Sequence, residues 1–184
     1  FANAASGAIK LFKTTTCVSE RTGTNSATDV APAGSPVGFN YAATDTAGTV
    51  WENTAVSDAY SANPCLGDQV IPLSVDKTTL KAKIGALKAT GSTAGQVGTA
   101  WGWYMISPNF SSVFPSATFQ PAAYGAPNTI KAVVLMTDGA LNSPYCNGVI
   151  ARDALNGSGS DIDHEGCNST NGTTLAQSLA LCAA

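Results

Sequence analysis

The sequence predicts a layered α/β fold in which helices pack against a parallel sheet. Two helical patterns, one continuous apolar run and a last helical pattern follow one another between residues 74 and 182, and this order is typical of α/β layering. The apolar run, at residues 131–137, does not alternate with polar residues. A run of this kind predicts a strand that is buried on both faces of a parallel sheet.

The first 70 residues carry the weakest pattern. Residues 1–13 are small and weakly apolar, and they fit either the end of a strand or a short helix. Residues 14–70 contain turn-forming glycine, proline and asparagine throughout. This composition predicts a long insertion made of loops and short strands.

A first helix is predicted to begin at Ser74 or Asp76, because either side chain can cap a helix. Apolar side chains then recur with the spacing i, i+4 and i+7, at Leu80, Ile84 and Leu87. This spacing predicts an amphipathic helix whose lysines face water.

A second helix is predicted after the small-residue turn at residues 91–95. Val97, Trp101 and Tyr104 share one face of this helix, and Pro108 stops it. The next twenty residues are rich in proline and predict a loop that leads into the apolar run.

A loop rich in glycine, asparagine and serine is predicted over residues 140–172. The final helix begins at Thr173 or Thr174, since either threonine can cap it. Its apolar positions are Leu175, Leu179 and Cys182.

The composition bounds the class of protein. A length of 184 residues fits a single domain, residues 1–184, with insertions at about 14–70 and 140–172. Charged residues make up 11% of the chain, against about 25% in an ordinary soluble domain, which favours an exported bacterial protein. The net charge of −3 argues against nucleic-acid binding, and no apolar run is long enough for a membrane segment.

Two residues are the leading candidates for a functional site. Asp138 follows the apolar run directly, and ligands of α/β sheets collect at the carboxyl ends of the strands. Thr93 stands at the start of the second helix, where its hydroxyl is placed to cap the helix or to bind an ion. Taken one at a time, a simple turn at Asp138 and a helix cap at Thr93 are the favoured interpretations.

Several stretches of the sequence carry a family resemblance. The two most specific are GSTAGQVGTAWGWYMISPNF at residues 91–110 and IKAVVLMTDG at residues 130–139. The others are CVSERTG at 17–23, IPLSVDKTTLKAKIGAL at 71–87, YCNGVIARDALNGSGS at 145–160 and LAQSLALC at 175–182. Together they resemble the von Willebrand factor A-type (vWA) domains of TadG-like proteins, which are associated with tight-adherence (Tad/Flp) pili.

The resemblance implies a Rossmann-like, doubly wound α/β fold with a metal-ion-dependent adhesion site at the top of the sheet. In the family that site uses an Asp-x-Ser-x-Ser loop, a threonine and the aspartate of a Thr-Asp-Gly turn; Thr93 and Asp138 match the last two. Oxygen ligands of this kind suit Mg²⁺ or Ca²⁺.

The resemblance also implies a function, a partner and a location. The implied function is a non-enzymatic interaction or assembly module of the bacterial cell envelope, linked to Tad/Flp pilus assembly or adhesion. Its partner is a protein, either a pilus or envelope component or a second copy of the chain, and its location is periplasmic or extracellular.

The sequence departs from the family pattern in one respect. It contains no Asp-x-Ser-x-Ser, so the resemblance implies Mg²⁺ or Ca²⁺ only if that loop is supplied from elsewhere. The resemblance also implies an incomplete vWA domain that lacks its first strands and its C-terminal strands. The alternative function is therefore an extracellular filament or matrix subunit, completed by strand exchange with neighbouring subunits.

The five cysteines predict two disulfides and one free thiol, as suits an exported protein. Cys17 with Cys65 would close the first insertion, and Cys146 with Cys167 the second, which leaves Cys182 unpaired. The competing pairing joins Cys167 to Cys182, and the sequence leaves both open.

A second candidate metal site is a weak calcium loop formed by Asp161, Asp163 and Glu165. Gly172 occupies the place of the closing glutamate, so a solvated acidic loop is the favoured interpretation. Catalysis is not expected, because the single histidine, His164, lies in a loop without a nucleophile motif.

Overall fold

The structure is a computed structural model that describes residues 12–43, 68–88, 93–114, 120–137, 140–151, 153–154 and 168–184. These residues contain both helices and strands, in agreement with the predicted mixture. The strands in these ranges form two sheets of two strands each, and both sheets are antiparallel. The described residues therefore do not contain the parallel sheet that the sequence predicts.

A long hairpin opens the described chain. Strand β1, Phe12–Ser19, pairs antiparallel with β2, Gly38–Ala43. The register shifts inside β1, and there the buried Thr15 hydroxyl donates to the main-chain carbonyl of Asn40, at 3.0 Å. Short strands are what the sequence predicts within the first insertion, and β1 and β2 are two of them.

The loop between β1 and β2 is organised by Arg21, which is buried. Its two terminal nitrogens donate to the main-chain carbonyls of Thr28 and Ser35. The guanidinium also lies over the rings of Tyr104 and Phe110, at 5.7 Å and 5.4 Å from their centroids. Arg21 thus ties this loop to the aromatic core.

Helix α1 spans Lys77–Ala86 and begins where the sequence predicts. The Asp76 side chain accepts hydrogen bonds from two main-chain N–H groups of the first turn, which satisfies donors that the helix itself leaves unpaired. Ile84 and Leu87 are nevertheless exposed. The apolar face of α1 does not join the described core.

Helix α2, Gly95–Ile106, is the centre of the molecule. It ends at the Ser107–Pro108 step, as predicted, and a 3-10 helix over Pro108–Val113 follows it. Tyr104 is buried and stacks on Phe110 with a centroid separation of 4.0 Å. Val97 and Trp101 are half-buried on the same face, so the predicted inward face of α2 is confirmed.

Residues 131–137 are not the buried strand that the sequence predicts. They form neither strand nor helix, and Val134 and Met136 are 84% and 87% exposed. A buried strand needs neighbours for its main-chain N–H and C=O groups, and no other strand of the described residues pairs with this segment. The apolar run is present, but in the described part of the chain Val134 and Met136 stay largely exposed.

The same segment keeps two features of an α/β unit. Exposure alternates along it, since Val133 and Leu135 are only 47% and 56% exposed, and alternation with a period of two is typical of an extended chain. It also runs back along α2, antiparallel to it, towards the start of the helix. The contacts that define this path join Lys131 to Ile106, Val133 to Gly102 and Leu141 to Gly95.

A second hairpin lies within the predicted loop at residues 140–172. Strand β3, Tyr145–Cys146, pairs antiparallel with β4, Val149–Ile150. The turn between them is Asn147-Gly148, and both residues have positive φ, 51° and 90°. This backbone is the one that a two-residue hairpin turn needs, and asparagine followed by glycine adopts it readily.

Helix α3, Thr174–Ala183, begins where the sequence predicts, with the Thr173 hydroxyl accepting from the main-chain N–H of Ala176. It packs against α2 and buries Thr174 and Gln177 rather than its apolar positions. Those positions are exposed; they are Leu175, Leu179 and Cys182.

Candidate functional site at the start of helix α2

Thr93 lies in the turn that precedes α2, and its main chain is fixed to the chain that follows Asp138. The N–H groups of Asn142 and Ser143 donate to the Thr93 carbonyl at 3.0 and 3.2 Å, and the Thr93 N–H donates to Asn142 Oδ1 at 2.9 Å. All three bonds use main-chain atoms of Thr93. The Thr93 hydroxyl takes no part in these three bonds.

Asp138 itself lies outside the described residues. The structure does place the segment that begins two residues later, at Ala140, against the start of α2, where Leu141 packs on Gly95. The predicted proximity of Thr93 and Asp138 therefore stays a prediction. The Thr93 turn and the chain that follows Asp138 are neighbours, as that prediction requires.

Beneath this turn lies a buried carboxylate, Glu20, which the sequence analysis does not single out. It is 8% exposed. Gln96 Nε2 donates to Glu20 Oε1 at 2.6 Å and to the carbonyl of Ser143 at 2.9 Å. The N–H of Tyr145 donates to Oε1 at 3.2 Å, and the Asn171 amide donates to Oε2 at 3.4 Å.

Glu20 thus joins four segments: the chain after β1, helix α2, the chain around β3 and the turn before α3. A glutamate between a strand and a polar turn carries no pattern that marks it as buried, and so the sequence gives no signal for this role. The donors that surround Glu20 come from three different parts of the chain and fix its position. We interpret it as a residue that positions these segments.

The electrostatics of this cluster follow from its burial. Burial raises the pKa of the Glu20 carboxyl above its ordinary value of 4.5, and hydrogen bonds from Gln96 and the other donors offset part of that rise. Burial and the nearby charge of Glu20 together raise the pKa of Tyr145 to about 12. Tyr145 is therefore uncharged at any physiological pH.

A second carboxylate, Asp29, connects the loop after β1 to the end of α2. Its Oδ2 atom accepts from the hydroxyls of Ser107 and Tyr124, both at 2.5 Å, and from the Asn109 amide at 3.1 Å. Burial alone would raise the pKa of Asp29, but these hydrogen bonds outweigh it and lower the pKa below 3.8. The charged form of Asp29 is therefore the one that this network holds.

Only one of the predicted metal ligands lies among the described residues. The described residues contain no group of three or more His, Cys, Asp or Glu side chains that could hold a metal ion. Thr93 is described, whereas Asp138 and the weak calcium loop lie outside the described residues; that loop comprises Asp161, Asp163 and Glu165. Neither metal site is tested.

The cysteines are described in part. Cys17 and Cys146 are disulfide-bonded, and Cys182 is a free cysteine on the exposed side of α3. Cys65 and Cys167 lie outside the described residues, so the pairings of Cys17 with Cys65 and of Cys146 with Cys167 stay predictions.

One exposed apolar feature of the described surface is the extended segment that contacts α2. We call Ile130, Val134 and Met136 the outward row; they are the even-numbered large side chains of the segment, and Ile130 is 95% exposed. Lys131 fixes one end of the row, because its ammonium donates to the carbonyls of Ile106 and Ala122. The outward row is thus a set of exposed apolar side chains on a segment that contacts α2.

Comparison of the chain with models of protein families, with curated proteins and with solved structures finds no match. Among the helices that the structure describes, none has the length and apolar character to cross a membrane.

Proposed function

We propose that the chain is a non-enzymatic protein-interaction module of the bacterial cell envelope, and that it binds its protein partner along the outward row. The observation that carries the proposal is the exposure of three large apolar side chains, Ile130, Val134 and Met136, on a segment that α2 supports. Isolated apolar side chains are common on surfaces, but a contiguous row is typical of an interaction site.

Burial of the outward row would contribute part of the binding energy. Full burial of a large aliphatic side chain contributes about 1.5–3 kcal/mol, so the outward row can contribute roughly 5 kcal/mol or more. The costs of association are of the same size or larger, about 4–15 kcal/mol. Added main-chain hydrogen bonds would make up the rest of a specific complex.

The mode of binding that fits the segment is strand addition. Its alternating exposure is that of an extended chain, and no strand of the described part of the chain pairs with residues 131–136. An extended segment of a partner could therefore pair with this main chain while its side chains cover the outward row.

The finer assignment is a vWA-type domain related to the TadG-like proteins of Tad/Flp pili. Two observations support it: Lys131, Val133 and Leu141 contact α2 in the order expected of an antiparallel path, and the Thr93 turn contacts the chain that follows Asp138. The disulfide-bonded state of Cys17 and Cys146 supports a periplasmic or extracellular location.

A non-enzymatic role is supported by the character of the described titratable cluster. Glu20 is buried, and its oxygens accept hydrogen bonds from Gln96, Tyr145 and Asn171, as suits a residue that positions neighbouring segments. The proposal would fail if the purified chain turned over a glycan or peptide substrate.

The second candidate is a filament or matrix subunit in which the partner is another copy of the chain. The exposed stripe of α3 favours it, because Leu175, Leu179 and the free thiol of Cys182 lie together on the surface. A second copy could bury that stripe and form an intermolecular disulfide. Concentration-dependent dimers in sedimentation velocity, lost in Cys182→Ser and in Leu179→Lys, would show that a second copy binds through this stripe, and larger assemblies would be needed to support a filament.

The main proposal can be tested by site-specific photo-crosslinking in cells that produce the chain. A photoreactive amino acid is placed at Val134 or Met136, and at Ile84 as a matched control, which is an exposed apolar position on α1. We expect one discrete adduct with an envelope protein from positions 134 and 136, and none from position 84. Absence of an adduct, or the same adducts from all three positions, would refute binding along the outward row.

In vWA domains, metal binding uses an Asp-x-Ser-x-Ser loop, and this sequence contains none. We therefore expect a calorimetric Mg²⁺ titration of the chain to give little heat, and Asp138→Ala to leave the result unchanged. Tight Mg²⁺ binding that Asp138→Ala abolishes would show that the residues present suffice for a metal site.

A further inference from the structure

Three buried polar atoms lie where the end of β1 meets α2, and none of them has a hydrogen-bond partner among the described residues. They are Arg21 Nε, Gln96 Oε1 and Trp101 Nε1. Arg21 and Gln96 are 2% and 1% exposed. A buried polar group without a partner costs about 1–3 kcal/mol, so three at one place need an explanation.

The same three side chains line one small cavity. Its volume is about 10 Å³, and its walls also include Glu20, Tyr104 and Gln177. A cavity needs roughly 10–15 Å³ by this measure to hold one water molecule, together with two to four polar partners. The size and the lining both match a single small polar ligand.

The orientation of the lining groups defines what the ligand must offer. Gln96 Nε2 already donates to Glu20 and to Ser143, so the amide is fixed with Oε1 as its free acceptor. Both terminal nitrogens of Arg21 donate to main-chain carbonyls, so Nε is the one Arg21 nitrogen without a partner among the described residues. With Trp101 Nε1–H, the cavity presents two donors and one acceptor.

The charges around the cavity exclude ions. An anion would lie beside the Glu20 carboxylate and the Gln96 carbonyl oxygen, and a cation would lie beside the Arg21 guanidinium. A neutral molecule with two lone pairs and at least one hydrogen satisfies all three atoms.

We propose that this cavity is a binding site for one structural water molecule. The water accepts hydrogen bonds from Arg21 Nε and Trp101 Nε1 and donates one to Gln96 Oε1. It thereby links the loop after β1 to α2 and holds Arg21 over the rings of Tyr104 and Phe110. The proposal rests on the fold alone and is independent of the proposed function.

A high-resolution crystal structure of the wild-type chain tests the site without any substitution. We expect a spherical density peak within about 3.2 Å of all three atoms. A dry cavity would overturn the proposal. So would a Gln96 amide rotated so that Oε1 accepts directly from Arg21 or Trp101.

Solution NMR gives a second test that does not depend on crystals. In the ¹⁵N-labelled chain, the Trp101 indole proton should show a nuclear Overhauser effect at the water frequency, with the sign of a long-lived bound water. The Trp103 indole is the control, since it donates to the exposed Tyr124 hydroxyl. Trp101→Phe and Trp103→Phe assign the two signals. No transfer to Trp101, or equal transfer to both indoles, would overturn the proposal.

Discussion

Glu20 and Asp29 each join several segments of the described fold through hydrogen bonds, and their pKa values are shifted in opposite directions. The Glu20 pKa is raised because desolvation outweighs its amide donors, whereas the Asp29 pKa is lowered because its donors outweigh desolvation. The two residues should therefore give opposite pH dependences of stability.

For Glu20, the folded state holds a proton more tightly than the unfolded state. Its contribution to stability is complete below about pH 4.5 and is lost as the pH rises through the raised folded pKa. We expect the free energy of unfolding of the wild type, relative to Glu20→Gln, to fall as the pH rises from 4.5. Urea unfolding of both proteins at several pH values measures this difference, and a difference that grows with pH would show the sign to be wrong.

For Asp29, the unfolded state holds the proton more tightly. Its contribution is present above about pH 3.8 and is lost as the pH falls through the lowered folded pKa. Asp29→Asn should therefore cost about 1 kcal/mol at neutral pH, a modest value because the site is partly solvated. The cost should vanish in strong acid, and a cost that is constant with pH would argue against a charged Asp29 in this network.

At the scale of elements, the packing of residues 140–143 on α2 can be tested with two glycines of the same helix. A methyl group at Gly95 would collide with the side chain of Leu141, whereas one at Gly98 would meet nothing within 4 Å. Gly98→Ala should stabilise the chain by up to about 1 kcal/mol, because alanine is the better helix former. Gly95→Ala should lose that gain and destabilise, since Leu141 must move.

Thermal unfolding of the two variants beside the wild type gives the comparison. A higher melting temperature for Gly98→Ala and a lower one for Gly95→Ala is the expected pair of results. Equal stabilisation by both substitutions would mean that Leu141 does not pack on the start of α2.

The sequence predicts best the element ends that are set by residues within one turn of them. Asp76 and Thr173 cap their helices, and Pro108 follows the end of α2, because capping and the lack of a proline N–H act within one turn. The hairpin turn at Asn147-Gly148 has an equally local signal. The composition of residues 140–172, rich in glycine, asparagine and serine, nevertheless predicts only a loop there, and strands of two residues each are too short to add a pattern of their own.

The elements that depend on distant partners are predicted poorly. The apolar composition of residues 131–137 indicates a buried strand, but burial needs neighbouring strands that the described residues do not provide. The role of Glu20 is likewise set by donors from 76 to 151 positions away in the chain. The composition of a segment therefore predicts which secondary structure it can form, whereas contacts with distant parts of the chain determine whether that structure forms.

At the scale of the molecule, three apolar surfaces that the sequence patterns mark for packing are exposed: the face of α1, the stripe of α3 and the outward row. The outward row differs from the other two, because α2 holds it in an extended path with its main chain free of strand partners among the described residues. Ile130, Val134 and Met136 are therefore the surface on which we place the protein partner.

Residue-resolved amide hydrogen exchange of the purified chain measures whether the main-chain N–H groups beneath the outward row are hydrogen-bonded. We expect the amides of residues 132–136 to exchange quickly, since a strand without a neighbour leaves them open to water, and those of α2 to exchange much more slowly. Protection of residues 132–136 equal to that of α2 would mean that this main chain is already paired within the molecule, and that it is not a free edge for a partner.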